Sequence, residues 1–209
     1  MTESDIKVYW YYFKSLTKQL QHTEQYVDHS VNNNFHLLNG TVFSNEFAKL
    51  LFLSSSEFEV VCKSLCSESG IALRWNANII TLTKEILKKY PNIGFTQIST
   101  PFFSFKPLQD WKIMKKPNNN GKLICTVDGL QWWSDYNDIK HNRSSCFSSA
   151  TLKNCVDSMA SLMVLELYLS CVVLGNVDTI TSIGCNYFDC KYGLSQYTCK
   201  SEITLPDFE

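Results

Sequence analysis

A chain of 209 residues is long enough to bury a core of its own, and length alone favours one domain. With 44% hydrophobic and 19% charged residues, disorder is excluded for most of the chain. A formal net charge of −1 excludes a global basic field, so any nucleic-acid binding must come from a local patch.

Residues 1–10 lack a cationic start followed by an apolar run, so no signal peptide is expected. Residues 4–29 are expected to form a long helix capped by Ser4, with Asp5 in its first turn and Val8, Tyr12, Phe13, Leu16 and Leu20 on an apolar stripe. The aromatic run from Tyr9 to Phe13 reads as a thick core, or else as a surface that meets another segment or chain. The Asn32-Asn33-Asn34 and Asn39-Gly40 punctuation marks a loop.

Ser44 then caps a second helix over 44–68, which ends at Gly70. A third, amphipathic helix covers 76–90 and stops at Pro91. Residues 91–129 hold four of the five prolines and read as an ordered irregular insertion, with short strands near 94–99 and 122–127.

A fourth helix starts near Asp128, carries Trp132, Trp133, Tyr136 and Ile139, and runs into Lys140-His141-Asn142-Arg143. After a polar break at 144–149, the most apolar helix runs to Gly175. Its most apolar stretch, Met159–Leu174, is short for a membrane span and carries Glu166 in its middle, so a buried core helix is expected and no membrane contact. The fold class expected is all-α in the main: a bundle of four to five helices over 1–175, with a small extension, 176–209, packed on it.

Nine cysteines, an odd number with no C-x-x-C pair, point to reduced buried thiols in a cytoplasmic protein and to no metal site. His22, His29 and His36 recur every seven residues, but the asparagine run breaks any helix through all three. Solvent-facing histidines are expected there. Glu57, Glu59 and Glu166 have no metal-ligand spacing, and no cofactor motif is present.

The densest polar cluster is Tyr136-Asn137-Asp138-Ile139-Lys140-His141-Asn142-Arg143. On a helix Asn137 and His141 share a face, and Lys140 and Arg143 lie beside it. Seven residues make nearly two turns, so on a continuous helix Arg143 shares the face of Tyr136, about 10 Å further along. An amide, an imidazole and two cations suit a phosphodiester: arginine grips two oxygens, and histidine moves a proton near neutral pH. The other reading is a solvated cationic turn that complements the helix dipole. Trp132 and Trp133 read either as a base-stacking platform or as core.

The pattern Tyr136-Asn137-x-x-x-His141-x-Arg143 resembles the Arg-Asn-x-x-x-His-x-Tyr motif of HEPN-family ribonucleases, with arginine and tyrosine exchanged. It is also similar to a Tyr-Asn-x-x-Lys-His-x-Arg pattern in uncharacterised bacterial proteins, which implies no activity. The layout of a long first helix, a Glu59–Lys63 pair on the second, and a motif helix before an apolar closing helix is HEPN-like too.

The resemblance implies a metal-independent endoribonuclease of toxin or phage-defence type, working as a homodimer without cofactor. His141, Arg143 and Asn137 would be catalytic, and Lys140, Tyr136 and Lys63 would bind substrate. It also implies an antitoxin or defence partner protein. The alternative is a non-catalytic HEPN-like module that binds RNA or a protein, motivated by Tyr136 standing where the family has arginine. From the residues alone, Glu59 and Lys63 read as a surface ion pair.

Overall fold

The computed structural model describes residues 1–34, 36–118, 120–185, 187–190 and 205–208, and of Cys190 the backbone alone. The remainder of the expected C-terminal extension, with Cys199, lies outside the described residues. The chain is mainly helical, with two small sheets.

Helix α1 spans Glu3–His22. Its cap is Thr2 rather than Ser4: the Thr2 hydroxyl accepts from the Asp5 amide at 3.3 Å, and the Asp5 carboxylate accepts from the Thr2 amide at 2.8 Å. It ends seven residues before the expected 29. The Thr23 hydroxyl donates to the Leu20 carbonyl at 2.6 Å and faces the His29 ring at 3.0 Å, which turns the chain into a single 3-10 turn.

Helix α2, Asn45–Glu68, is capped by Ser44 and closed by Gly70, whose φ of +74° favours glycine. Helix α3, Ile79–Lys89, starts three residues later than expected, because the Ala77 amide closes a turn on Arg74 and leaves Asn78 as cap.

The closing helix, α6, spans Leu152–Leu174 between its cap Thr151 and a left-handed Gly175. By length and composition it could cross a membrane, yet 83% of its most apolar window is buried inside the bundle. It is the axis of the fold. The starts of α2 and α6 are tied together: Leu152 donates to Val42 at 2.9 Å and Lys153 to Gly40 at 3.0 Å. Cys155 then donates to the Phe47 carbonyl at 3.1 Å, and Ser54 and Ser158 hydroxyls meet at 2.7 Å. The two long helices therefore run parallel. Helix α1 runs antiparallel to α2, with the Met1 amino group 2.7 Å from Glu68 and the Tyr9 hydroxyl 3.0 Å from Ser64. Trp10 and Phe13 are buried, while Tyr11 is 57% exposed.

The 91–129 insertion holds more strand than expected. Strands β1 (Ile98–Ser99) and β2 (Ser104–Phe105) pair antiparallel, and β3 (Lys112–Pro117) and β4 (Leu123–Asp128) form a hairpin. A later strand, β5 (Asp189–Cys190), adds to β1. Trp111 anchors the insertion: its indole donates to Thr83 of α3 at 3.1 Å and its ring meets Phe58 at 5.8 Å.

Gly129 then makes a tight crossing with φ +80°, where a Cβ would lie 2.0 Å from the Asp110 carbonyl oxygen. The chain enters α4, Gln131–His141, and a short α5, Arg143–Cys146. Trp132 and Trp133 pack on Phe58 with ring centroids 4.9 and 6.1 Å away, and Tyr136 packs on Phe52 at 5.2 Å. Helix α4 is therefore antiparallel to α2. Both tryptophans are core residues, which removes the stacking platform considered for them. A one-turn α7, Asp178–Thr181, follows α6.

Candidate functional site at the end of helix four

The inward stripe Trp132, Trp133, Tyr136 and Ile139 turns the rest of α4 to solvent, so Lys140 and His141 are exposed in its last turn. The helix ends there. Asn142 has φ −135° and ψ 52°, and Arg143 starts the next short helix. The expected continuous face through Arg143 does not exist. The guanidinium instead sits over the Phe147 ring at 5.6 Å, and Phe147 makes an edge contact with Phe43 at 6.0 Å.

Two other members of the cluster are already engaged. Tyr136 is 8% exposed, wedged against Phe52 and Trp133, with the Lys140 ammonium over its ring at 5.5 Å. The Asn137 amide donates to the Trp133 carbonyl one turn back at 2.8 Å, a local bond that uses one of its two N–H donors.

Lys63 is far away. It pairs with Glu59 at 2.6 Å and lies five residues beyond the Phe58–Trp132 contact, while His141 lies nine residues beyond it the other way. Helical rise alone separates them by about 20 Å. Thus Lys140 lies over Tyr136 with His141 beside it in the last turn of α4, Arg143 is turned aside by the break, and Lys63 belongs to the opposite end of the bundle.

A second polar centre escapes a sequence reading. His29 is 1% exposed, which corrects the expectation that it faces solvent; His22 and His36 are exposed. Its ring nitrogens contact the Tyr187 hydroxyl at 2.8 Å and the Thr23 hydroxyl at 3.0 Å. Burial holds its pKa down at about 4. A cleft of about 1050 Å³ opens beside it between the end of α1 and the start of α2, lined by Lys18, His22, Glu24, Tyr26, Ser44 and Phe47. Thr23, whose hydroxyl faces the buried His29 ring at 3.0 Å and donates to the Leu20 carbonyl at 2.6 Å, is part of that wall.

No family model matches this chain, and no curated protein or solved structure shows significant similarity to it.

The His29 network has a measurable consequence. Below pH 6.5 the unfolded chain protonates this imidazole while the folded chain keeps it neutral down to about 4. Its contribution is therefore complete above 6.5 and lost as pH falls through that window. His29→Gln is expected to be less stable than wild type at pH 7 and to close that gap by roughly 3 kcal/mol at pH 4. Urea midpoints at the two pH values check this; a constant gap would contradict it.

Proposed function

We propose that the chain is a non-catalytic, HEPN-like RNA-binding module whose contact to phosphate is the cationic end of α4. The observation that supports binding over catalysis is the state of the neighbours of His141. Tyr136 is held by the core and Asn137 bonds its own helix, and among the described residues no side chain hydrogen-bonds the His141 imidazole. The charges of Lys140 and Arg143 stay at the surface, held over aromatic rings that fix them without neutralising them. Fixed surface cations suit phosphate oxygens.

The second reading, a metal-independent endoribonuclease in a homodimer, is favoured by the exposure of His141 next to Lys140. A second copy would bring the missing groups. His141 would accept the ribose 2′-OH proton as that oxygen attacks phosphorus, and the 5′-oxygen would leave with a proton, producing a cyclic phosphate end.

Labelled RNA separates the two. Lys140→Glu with Arg143→Glu is expected to weaken binding at least tenfold, and to reduce the dependence of log K on log salt by about 1.4, the value for two phosphate contacts to a single strand. His141→Ala should bind within about twofold of wild type, and neither protein should cut RNA in EDTA. Cleavage by wild type alone, leaving cyclic phosphates, would replace the binding reading with the nuclease. Unchanged affinity in the double variant would remove α4 from the RNA contact.

A further inference from the structure

The charge of this chain is unevenly distributed. Residues 70–128 carry nine Lys and Arg against three Asp and Glu, in a chain whose formal net charge is −1. That segment therefore stands at +6 and the remainder at −7.

Elsewhere lysines tend to be paired on their own helix: Lys7 with Glu3, Lys49 with Glu46, Lys63 with Glu59, Lys153 with Asp157. Within 70–128 the only ion pairs among the described residues are loose ones, Asp128 at 3.8 Å from Lys112 and 3.6 Å from Lys116. Arg74, Lys84, Lys88, Lys89, Lys115 and Lys122 are exposed and make none.

The fold brings together the segments that carry these cations. Helix α3 packs beside both strands of the β3–β4 hairpin, with Trp111 at the foot of β3 bonded to Thr83. Lys84 and Lys88 lie four residues apart on the exposed stripe of α3. The hairpin projects as a ribbon in which no residue is buried. Exposed Leu123 (63%) and Ile124 (42%) stand among its lysines.

At the other end of α3 the turn before its cap presents Trp75, 96% exposed. The other four tryptophans are 9% exposed or less. The Trp75 indole, next to Arg74, has no ring contact or hydrogen bond among the described residues. Beside it is a cavity of about 430 Å³ whose lining includes Leu73, Arg74, Asn76, Asn78, Thr81 and Glu85.

We propose that the α3–hairpin face, with Trp75 at its edge, is a docking surface for single-stranded nucleic acid. The unpaired cations track the phosphates, and Trp75 stacks on a base. Charge complementarity selects a polyanion, and the projecting indole selects one with accessible aromatic faces, which a duplex does not offer. The surface lies at the α2–α4 end opposite His141, and the proposal holds whether or not the end of α4 touches RNA.

The tryptophan pattern supplies the assay. Trp75 is the one indole fully in contact with solvent, so quenching of intrinsic fluorescence by a 20-nucleotide oligo(U) or oligo(dT) reports on it. Wild type is expected to bind both single strands more tightly than a duplex of equal length, with quenching. Lys88→Glu, Lys115→Glu and Lys122→Glu together should weaken binding roughly a hundredfold and flatten its salt dependence.

Trp75→Ala should weaken binding roughly tenfold and abolish the quench. Lys115→Gln with Lys122→Gln, milder at these exposed positions, should give an intermediate loss with an unchanged circular dichroism spectrum. Lys140→Glu with Arg143→Glu keeps the Trp75 quench in this proposal, so failure of the α4 contact and failure of this face are distinguishable.

No binding to either oligonucleotide, or full affinity in the triple variant, would overturn the proposal. So would preferential binding to vesicles containing phosphatidylserine, which would make the face a membrane contact. Self-association without nucleic acid, lost in the same triple variant, would make it an interface between copies.

Discussion

Phe58→Ala is expected to lower the unfolding free energy by roughly 3–5 kcal/mol. The ring is fully buried on α2 and meets three indoles, Trp111, Trp132 and Trp133, at centroid separations of 5.8, 4.9 and 6.1 Å. Those indoles come from two different segments. Trp111 carries the insertion and, through Thr83, holds it to α3; the tandem tryptophans carry α4. Truncation opens a void at the point where three elements converge, and large rings around it relax poorly. The midpoint of urea unfolding should fall with an unchanged m-value, and protection of α4 amides from hydrogen exchange should drop more than that of α6. A loss below about 1 kcal/mol would mean that the aromatic cluster repacks freely.

The second large effect concerns Glu166. It is 2% exposed in the most apolar helix, and one of its carboxyl oxygens, Oε1, has no hydrogen-bond partner among the described residues. Burial, with Glu57 nearby, pushes its pKa well above the usual carboxylate range. The folded chain therefore keeps this proton to a higher pH than the unfolded chain does. Stability contributed by the neutral form is complete below the unfolded pKa near 4.5 and falls as pH rises toward the folded value.

The slope for one such group is about 1.4 kcal/mol per pH unit. Comparing the two proteins at each pH cancels the titration of His29 and of the thiols, which both proteins share. Glu166→Gln cannot ionise, so its stability relative to wild type should rise as pH climbs above 4.5, by at most about 1.4 kcal/mol per pH unit. Parallel pH profiles for the two proteins would mean that Glu166 finds a compensating partner as the bundle opens to water.

Local chemistry made much of the helical frame legible. Ser44, Gly70, Pro91 and Gly175 each act on their own neighbours, and each ends or begins a helix where that chemistry places it. The end of α1 was not legible, because Thr23 and His29 are organised by Tyr187, 158 residues from His29. The inward stripe of α4 predicted the exposure of Lys140 and His141. The break at Asn142 carries no glycine or proline; it follows from the need to bring Ala150 and Thr151 against Phe43 and Ser44.

The separation of Lys63 from His141 depends on α2 and α4 running in opposite directions, which no local pattern encodes. The basic face could have been found by counting charge in windows rather than over the whole chain. The exposure of Trp75, in contrast, depends on what fails to pack against it.

The parallel pairing of α2 with α6 also bears on how the chain is made. Helices α1 and α2 both pack on a helix that begins at Leu152, after the whole insertion and α4, with Phe47 and Ser54 of α2 meeting Cys155 and Ser158. At elongation rates of about 5–20 residues per second, roughly 5–20 s pass between completion of α2 and completion of α6. During that interval the apolar faces of α1 and α2 that pack on α6 have no α6 to cover them, so the seam between them closes only after most of the chain has been made.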